Sequence, residues 1–157
     1  MIHHVFVYGT LRPGDVRWPI LEPFVVDGGI VDTTDGSLFD TGLDYPAAVF
    51  ETGDTIVGQT LALLEASLDR ALHVLDEVED VVGGEYARVR VRTGFGLDAW
   101  AYAYGTGLEL VPIASGDWFR HRPPTRHHTQ PPPHPAVSLG ADTSHQNSPH
   151  SERYTQR

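Results

Sequence analysis

From Ile2 to Tyr8 the chain is apolar apart from His3 and His4, and it runs directly into Gly9-Thr10-Leu11-Arg12-Pro13-Gly14. That pattern predicts a buried strand ended by a turn. Alternation along a strand sends His3 and His4 to opposite faces, where a core or surface role suits them better than metal ligation. Phe24 to Val31 is apolar around Gly28-Gly29, which predicts a strand with a bulge or bend. Ser37–Phe39 and Ala47–Phe50 are short apolar runs flanked by turn residues, and Asp54–Leu63 predicts a longer strand. From Tyr86 to Thr93, Tyr86, Arg88, Arg90 and Arg92 point one way and Ala87, Val89 and Val91 the other. Leu97–Tyr104 is the expected partner strand across a Gly94-Phe95-Gly96 connection.

One segment has helical spacing. Leu68, Leu72 and Leu75, with Ala71 and Val78, recur at the period of an amphipathic helix. Ser67 is placed to cap it and Asp69 lies in its first turn. Gly83-Gly84 marks the reversal beyond its end. Several strands with one long helix leave no room for the crossovers a parallel α/β sheet needs. The expected class is α+β: a small mixed β-barrel with one main helix and short flanking helices.

Composition changes sharply near Phe119. Residues 121–157 hold 7 of the 12 prolines and 6 of the 9 histidines, with Val137, Leu139 and Tyr154 as their large apolar residues. Such a segment buries too little apolar surface to offset its ordering entropy. The expected organisation is a domain over 1–120 and a disordered Pro/His-rich tail over 121–157. His127-His128 reads as part of a solvated polar tail, with transition-metal binding as the alternative.

Formal charge is −10, and every basic residue is Arg. The tail carries Arg122, Arg126, Arg153 and Arg157 against Asp142 and Glu152, so it is +2 and the rest is −12. Nucleic-acid binding is dominated by cations neutralising phosphates, so that partner is not expected. Absence of Cys removes disulfides, thiolate nucleophiles and Cys-based metal sites. No basic region precedes a long apolar run and nothing approaches a membrane span, so a cytoplasmic protein without membrane contact is expected.

Two local features carry candidate chemistry. In Gly9–Gly14 the glycines let backbone N–H groups approach a small anion, with Arg12 beside them. The glycine spacing and lack of Lys do not match a phosphate loop, and an ordinary strand-ending turn is the plain alternative. The second feature is Asp76-Glu77-Val78-Glu79-Asp80, which crowds four carboxylates at the helix C-terminus. This is the unfavourable end of the macrodipole, at about 0.3–1 kcal/mol per close charge. A solvated acidic helix end is one reading. A carboxylate turned into a pocket as an acid/base is the other.

In order along the chain come Tyr8-Gly9-Thr10-Leu11-Arg12-Pro13-Gly14, Asp44-Tyr45-Pro46-Ala47, Leu75-Asp76-Glu77-Val78-Glu79, Tyr86-Ala87-Arg88-Val89, Ala99-Trp100-Ala101-Tyr102 and Ser115-Gly116-Asp117-Trp118. Over about residues 3–119 this resembles the γ-glutamylcyclotransferase-like superfamily, which includes the AIG2-like proteins. The resemblance implies a mixed α/β fold around a barrel and a small-molecule γ-glutamyl substrate. It implies that the loop of Tyr8, Gly9, Thr10 and Leu11 holds the amino-acid end of that substrate through backbone amides, with Arg12 beside it as a further substrate-binding candidate. Glu79 maps to the acid/base, and Tyr86 and Tyr102 to the pocket. Arg88 is left between a pocket role and pairing with the acidic cluster. The departure from the family pattern is Asp80, where Gly commonly follows the acid.

The implied reaction releases 5-oxoproline and an amine or amino acid by intramolecular aminolysis. The substrate supplies its own nucleophile, so no metal or cofactor is called for. An α-amine has a pKa of about 8 and an ordinary Glu about 4.3, which makes direct proton transfer uphill by about 5 kcal/mol. Burial lifting Glu79 by about two units would halve that. A γ-glutamyl-amine or isopeptide substrate is a related alternative. A non-catalytic ligand-binding or regulatory member of the fold is another, and tail-driven docking a third. Oligomeric state and leaving amine are not specified by these motifs.

Overall fold

A computed structural model describes residues 1–80, 84 and 86–123. Val81, Val82, Gly83 and Glu85 fall outside the described residues, as does the expected tail beyond Pro123. Six strands form one sheet: β1 (His4–Val7), β2 (Ile30–Asp40), β3 (Pro46–Ala62), β4 (Tyr86–Arg92), β5 (Asp98–Tyr104) and β6 (Val111–Pro112). Their order is β4-β5-β1-β3-β2-β6. All neighbours are antiparallel except β1 and β5, which run parallel with Val5 opposite Trp100. Three short helices complete the fold: α1 (Trp18–Leu21), α2 (Leu68–Val78) and α3 (Trp118–His121).

The period-2 alternation of β1 divides the core. Val5 and Val7 face one apolar cluster with Leu61, Leu63 and the α2 residues Leu68, Ala71 and Leu75. Phe6 and Tyr8 face the other, with Leu38, Ile56, Ala99, Ala101 and Trp118. One face of the sheet is therefore covered by α2, and the other is enclosed by the sheet's own curl. The curl draws the end of β4 toward β2. Thr34 bridges Thr93, the Gly94 N–H donates to the Thr33 carbonyl at 2.8 Å, and Thr34 Oγ1 donates to the Arg92 carbonyl at 3.1 Å. Asp32 sits in this seam and is 3% exposed. Its carboxylate accepts from the Thr33 N–H at 2.7 Å, the Phe95 N–H at 3.3 Å and Thr60 Oγ1 at 2.9 Å. The result is a half-barrel of mixed sheet with short helices, in agreement with the α+β expectation.

The strands differ from expectation in extent. Ser37–Phe39 belongs to the 11-residue β2, which starts at Ile30, whereas Phe24 ends a 3-10 turn over Glu22–Phe24. Ala47–Phe50 and Asp54–Leu63 belong to one 17-residue strand, β3, through Ala62. Pairing jumps from Asp35 opposite Thr55 to Gly36 opposite Phe50, so residues 51–54 bulge out. Glu51 and Gly53 take positive φ there, and Asp35 Oδ1 accepts from the Gly53 N–H at 2.8 Å.

Ser67 occupies the N-cap position of α2, but its side chain makes no capping bond. A 3-10 turn over Glu65–Ser67 leads into the helix instead. At the far end Asp80 is left-handed, with φ 49°. That is the conformation glycine most often supplies after a helix, so the departure noted in the sequence falls where its backbone cost is greatest. Past the expected domain boundary, His121 Nε2 lies 2.8 Å from Asp40 Oδ2 and Arg122 pairs with Asp44 at 2.5 Å.

Candidate functional site

Val7 ends β1, and the chain then folds back on itself. The Arg12 N–H donates to the Gly9 carbonyl at 3.0 Å, and the Arg17 N–H to the Thr10 carbonyl at 2.9 Å. These two bonds close the Gly9–Arg17 loop. The amides of Thr10 and Leu11 make no backbone hydrogen bond among the described residues. Gly9 is required by packing: a Cβ there would lie 2.7 Å from Pro46 Cγ and 2.8 Å from Pro46 Cδ. The first residue of β3 thus presses directly on the loop.

Glu79 reaches the same place from α2. The buried residues Leu68, Ala71 and Leu75 fix that helix against the sheet. Glu79 follows Leu75 by one turn, and its N–H donates to the Leu75 carbonyl at 2.9 Å. Its side chain lines one cleft with Tyr8, Gly9, Thr10 and Leu11. Tyr86 from β4 and Tyr102 from β5 line that cleft too, as do Tyr45, Pro46 and Arg17. Gly9, Thr10, Leu11, Pro46, Tyr86 and Tyr102 are buried, whereas Arg17, Tyr45 and Glu79 are half-buried. The cleft therefore has a floor of loop backbone and a rim carrying one carboxylate and one guanidinium.

Three tyrosine hydroxyls bordering the cleft have already placed their protons. Tyr8 donates to the Tyr102 carbonyl at 2.6 Å, and Tyr86 to the Pro46 carbonyl at 2.9 Å. Tyr102 donates to Asp76 Oδ1 at 2.7 Å. Burial pushes the Tyr8 hydroxyl well above its ordinary pKa, and the charge of Glu79 adds to this. The Tyr102 hydroxyl is also pushed up, by burial first and then by its bond to Asp76. Both stay neutral and protonated at any physiological pH. Arg88 stands opposite Tyr102 in the β4–β5 ladder, and its Nη1 lies 3.7 Å from the other Asp76 oxygen. Its guanidinium also lies over the Trp100 ring, 4.9 Å from the centroid. Arg88 thus pairs with the acidic helix end, one of the two roles left open by the sequence.

Of the residues singled out from sequence, Tyr8, Gly9, Thr10, Leu11, Glu79, Tyr86 and Tyr102 meet in the cleft. Arg12 does not. It is 5% exposed and turned the other way. Its Nη1 lies 3.0 Å from Asp117 Oδ1, its Nε donates to Gln59 Oε1 at 3.1 Å, and its guanidinium sits 3.8 Å from the Phe119 ring centroid. Asp117 also accepts from the Phe119 N–H at 3.0 Å and so caps α3. Arg12 is a strut joining the loop to α3. Sequence reasoning gave no role to Tyr45 and Pro46, although the Asp44-Tyr45-Pro46-Ala47 block flagged them. Asp76 went unread as a partner of Tyr102 because nothing in the spacing pairs a helix carboxylate with a residue 26 positions later.

Comparison with known proteins agrees with this arrangement. The family model described as "Gamma-glutamyl cyclotransferase, AIG2-like" matches residues 5–120. A Vibrio cholerae protein named provisionally as a gamma-glutamylcyclotransferase is 37% identical over 119 residues, covering 75% of this chain and 96% of that one. The gamma-glutamylcyclotransferase family protein YtfP of Escherichia coli K12 is 36% identical over 117 residues, covering 73% and 94%. Among solved structures, an uncharacterised Pyrococcus horikoshii protein superposes with a TM-score of 0.59 at 24% identity, covering 78% of this chain and 93% of that one, which speaks for the fold. With its matched span taking in the loop after β1, the end of α2 and the four tyrosines of the cleft, the chain belongs to the gamma-glutamyl cyclotransferase, AIG2-like family.

Proposed function

We propose that this protein is a γ-glutamyl cyclotransferase, releasing 5-oxoproline and an amine from a γ-glutamyl compound, with Glu79 as the acid/base. The observation that carries the reading is the single cleft shared by Glu79 and the backbone of Gly9–Leu11. The loop amides receive the substrate's α-carboxylate, which leaves the α-amine facing Glu79. Glu79 takes a proton from the α-ammonium. The freed nitrogen forms a bond to the γ-carbonyl carbon, and the bond from that carbon to the leaving nitrogen breaks. Glu79 returns that proton to the departing nitrogen, and the second proton, shed by the ring nitrogen as it becomes the lactam N–H, passes to the same nitrogen, so the amine leaves as an ammonium and atoms and charge balance. Holding the chain curled supplies the near-attack geometry. The tyrosine hydroxyls cannot donate to the developing oxyanion without giving up the bonds they already make.

The test is incubation with a panel of γ-glutamyl amino acids and γ-glutamyl amines, followed by mass spectrometry for 5-oxoproline. Glu79→Gln should lower turnover by about 10²–10⁴-fold, the usual scale for a lost general acid/base, with binding largely kept. Full activity in that variant removes the mechanism. Binding by the wild type without product makes the protein a ligand-binding member of its fold.

A further inference from the structure

We infer that Arg17 reads a carboxylate on the leaving amine, so that the substrate class is γ-glutamyl amino acids and not γ-glutamyl amines lacking an acid. The inference rests on the cyclotransferase reading above and adds to it the identity of the expelled half.

The geometry of cyclisation sets the direction. The γ-glutamyl unit must curl so that its α-amine meets its own γ-carbonyl. Its α-carboxylate is held at the buried floor by the loop amides. The substituent on the γ-nitrogen then projects away from the floor, toward the half-buried rim. Arg17 lines that rim with Tyr45.

Arg17 is held in place. Its N–H donates to the Thr10 carbonyl at 2.9 Å, and its own carbonyl accepts from the Ile20 N–H at 3.0 Å. Its guanidinium lies 5.8 Å from the centroid of the Tyr45 ring. Arg12, Arg88, Arg90, Arg92 and Arg122 all have carboxylate partners. Arg17, Arg70 and Arg120 have none among the described residues, and of these three Arg17 is the one that lines the cleft. A chain with a net charge of −10 could have neutralised this cation many times over. It is instead presented at the mouth of a cleft whose other charged wall is Glu79. A planar guanidinium matches a carboxylate in two parallel hydrogen bonds. Arg17 also supplies locally the positive potential that an acidic protein needs to admit an anionic substrate.

The experiment uses the full chain and a matched pair of substrates, γ-glutamyl-alanine and γ-glutamyl-ethylamine, which differ by the one carboxylate. The readout is the ratio of their kcat/KM values. Wild type should favour the alanine compound by about tenfold to a hundredfold, the range for a hydrogen bond to a charged group. Arg17→Gln should bring the ratio close to one, mainly through KM for the alanine compound. Arg17→Lys should fall between. A wild-type ratio near one overturns the inference without any variant. So does a ratio that survives Arg17→Gln, including the case where both substrates lose equally, which would put Arg17 on the shared γ-glutamyl half. Absence of 5-oxoproline from either substrate with wild type, where the wider panel also gives none, sinks the cyclotransferase reading itself and this inference with it.

Discussion

Asp32→Ala should open the seam of the half-barrel. The Asp32 carboxylate is almost fully enclosed and collects two backbone N–H groups, from Thr33 and Phe95, together with the Thr60 hydroxyl. Removing it strands both amides, while the hydroxyl can turn elsewhere. A donor left without its acceptor costs about 1–3 kcal/mol. With the longer Phe95 bond counted at the low end, the expected loss is about 3 kcal/mol. Urea unfolding followed by tryptophan fluorescence measures it, since Trp18, Trp100 and Trp118 lie on three different elements. The pH dependence is a second readout. Burial pushes the Asp32 carboxyl up, but hydrogen bonds from Thr93, Thr33, Thr60 and Phe95 outweigh it and hold the group below the usual carboxylate range. A depressed folded-state pKa gives stability that is fully present above the unfolded value of about 3.9 and is lost as pH falls below it. The wild type should therefore lose stability more steeply than Asp32→Ala below about pH 4. A loss under about 1 kcal/mol with an unchanged acid limb would refute the reasoning, since stranded donors cannot be that cheap.

Asp80 offers a gain in stability. Asp80→Gly should stabilise by about 0.5–1 kcal/mol by relieving a left-handed non-glycine residue and a negative charge at a helix C-terminus. Asp80→Ala should gain less, because it removes the charge but keeps the Cβ, and thermal melts of the pair separate the two effects. Gly9→Ala forces Pro46 and the loop apart, so it should cost about 1–3 kcal/mol by overpacking and raise KM at the same time. A destabilised variant with wild-type KM would mean the loop can move without disturbing the cleft.

Much of the cleft was legible in the sequence because its parts are local. A strand running into Gly9 and a helix running into Glu79 each announce themselves within a dozen residues. The strand boundaries were less legible. Thr33–Gly36 and Thr52–Asp54 carry turn residues and so suggest breaks, yet Thr33–Gly36 stays paired with β3 and the bulge at residues 51–54 absorbs the second set, so both strands continue. Arg12 lies away from the cleft for a related reason. Its position beside the loop glycines is visible in sequence, but its direction is set by Asp117 and Gln59, which are distant along the chain. Arg17, five residues further on, has no such competitor among the described residues and faces the cleft. Asp80 could be seen as unusual from sequence, but its physical cost appears only with its φ.

At three of the tyrosine oxygens bordering the cleft, a visiting molecule meets lone pairs rather than hydrogen. Tyr8, Tyr86 and Tyr102 have each aimed their proton at a neighbour in the protein, so the guest must bring its own. An ammonium does so from every side, and a bare carboxylate does not. On the proposed function, the aromatic wall thereby sorts the two ends of a zwitterion before any chemistry begins, leaving backbone amides and a guanidinium to receive whatever is anionic.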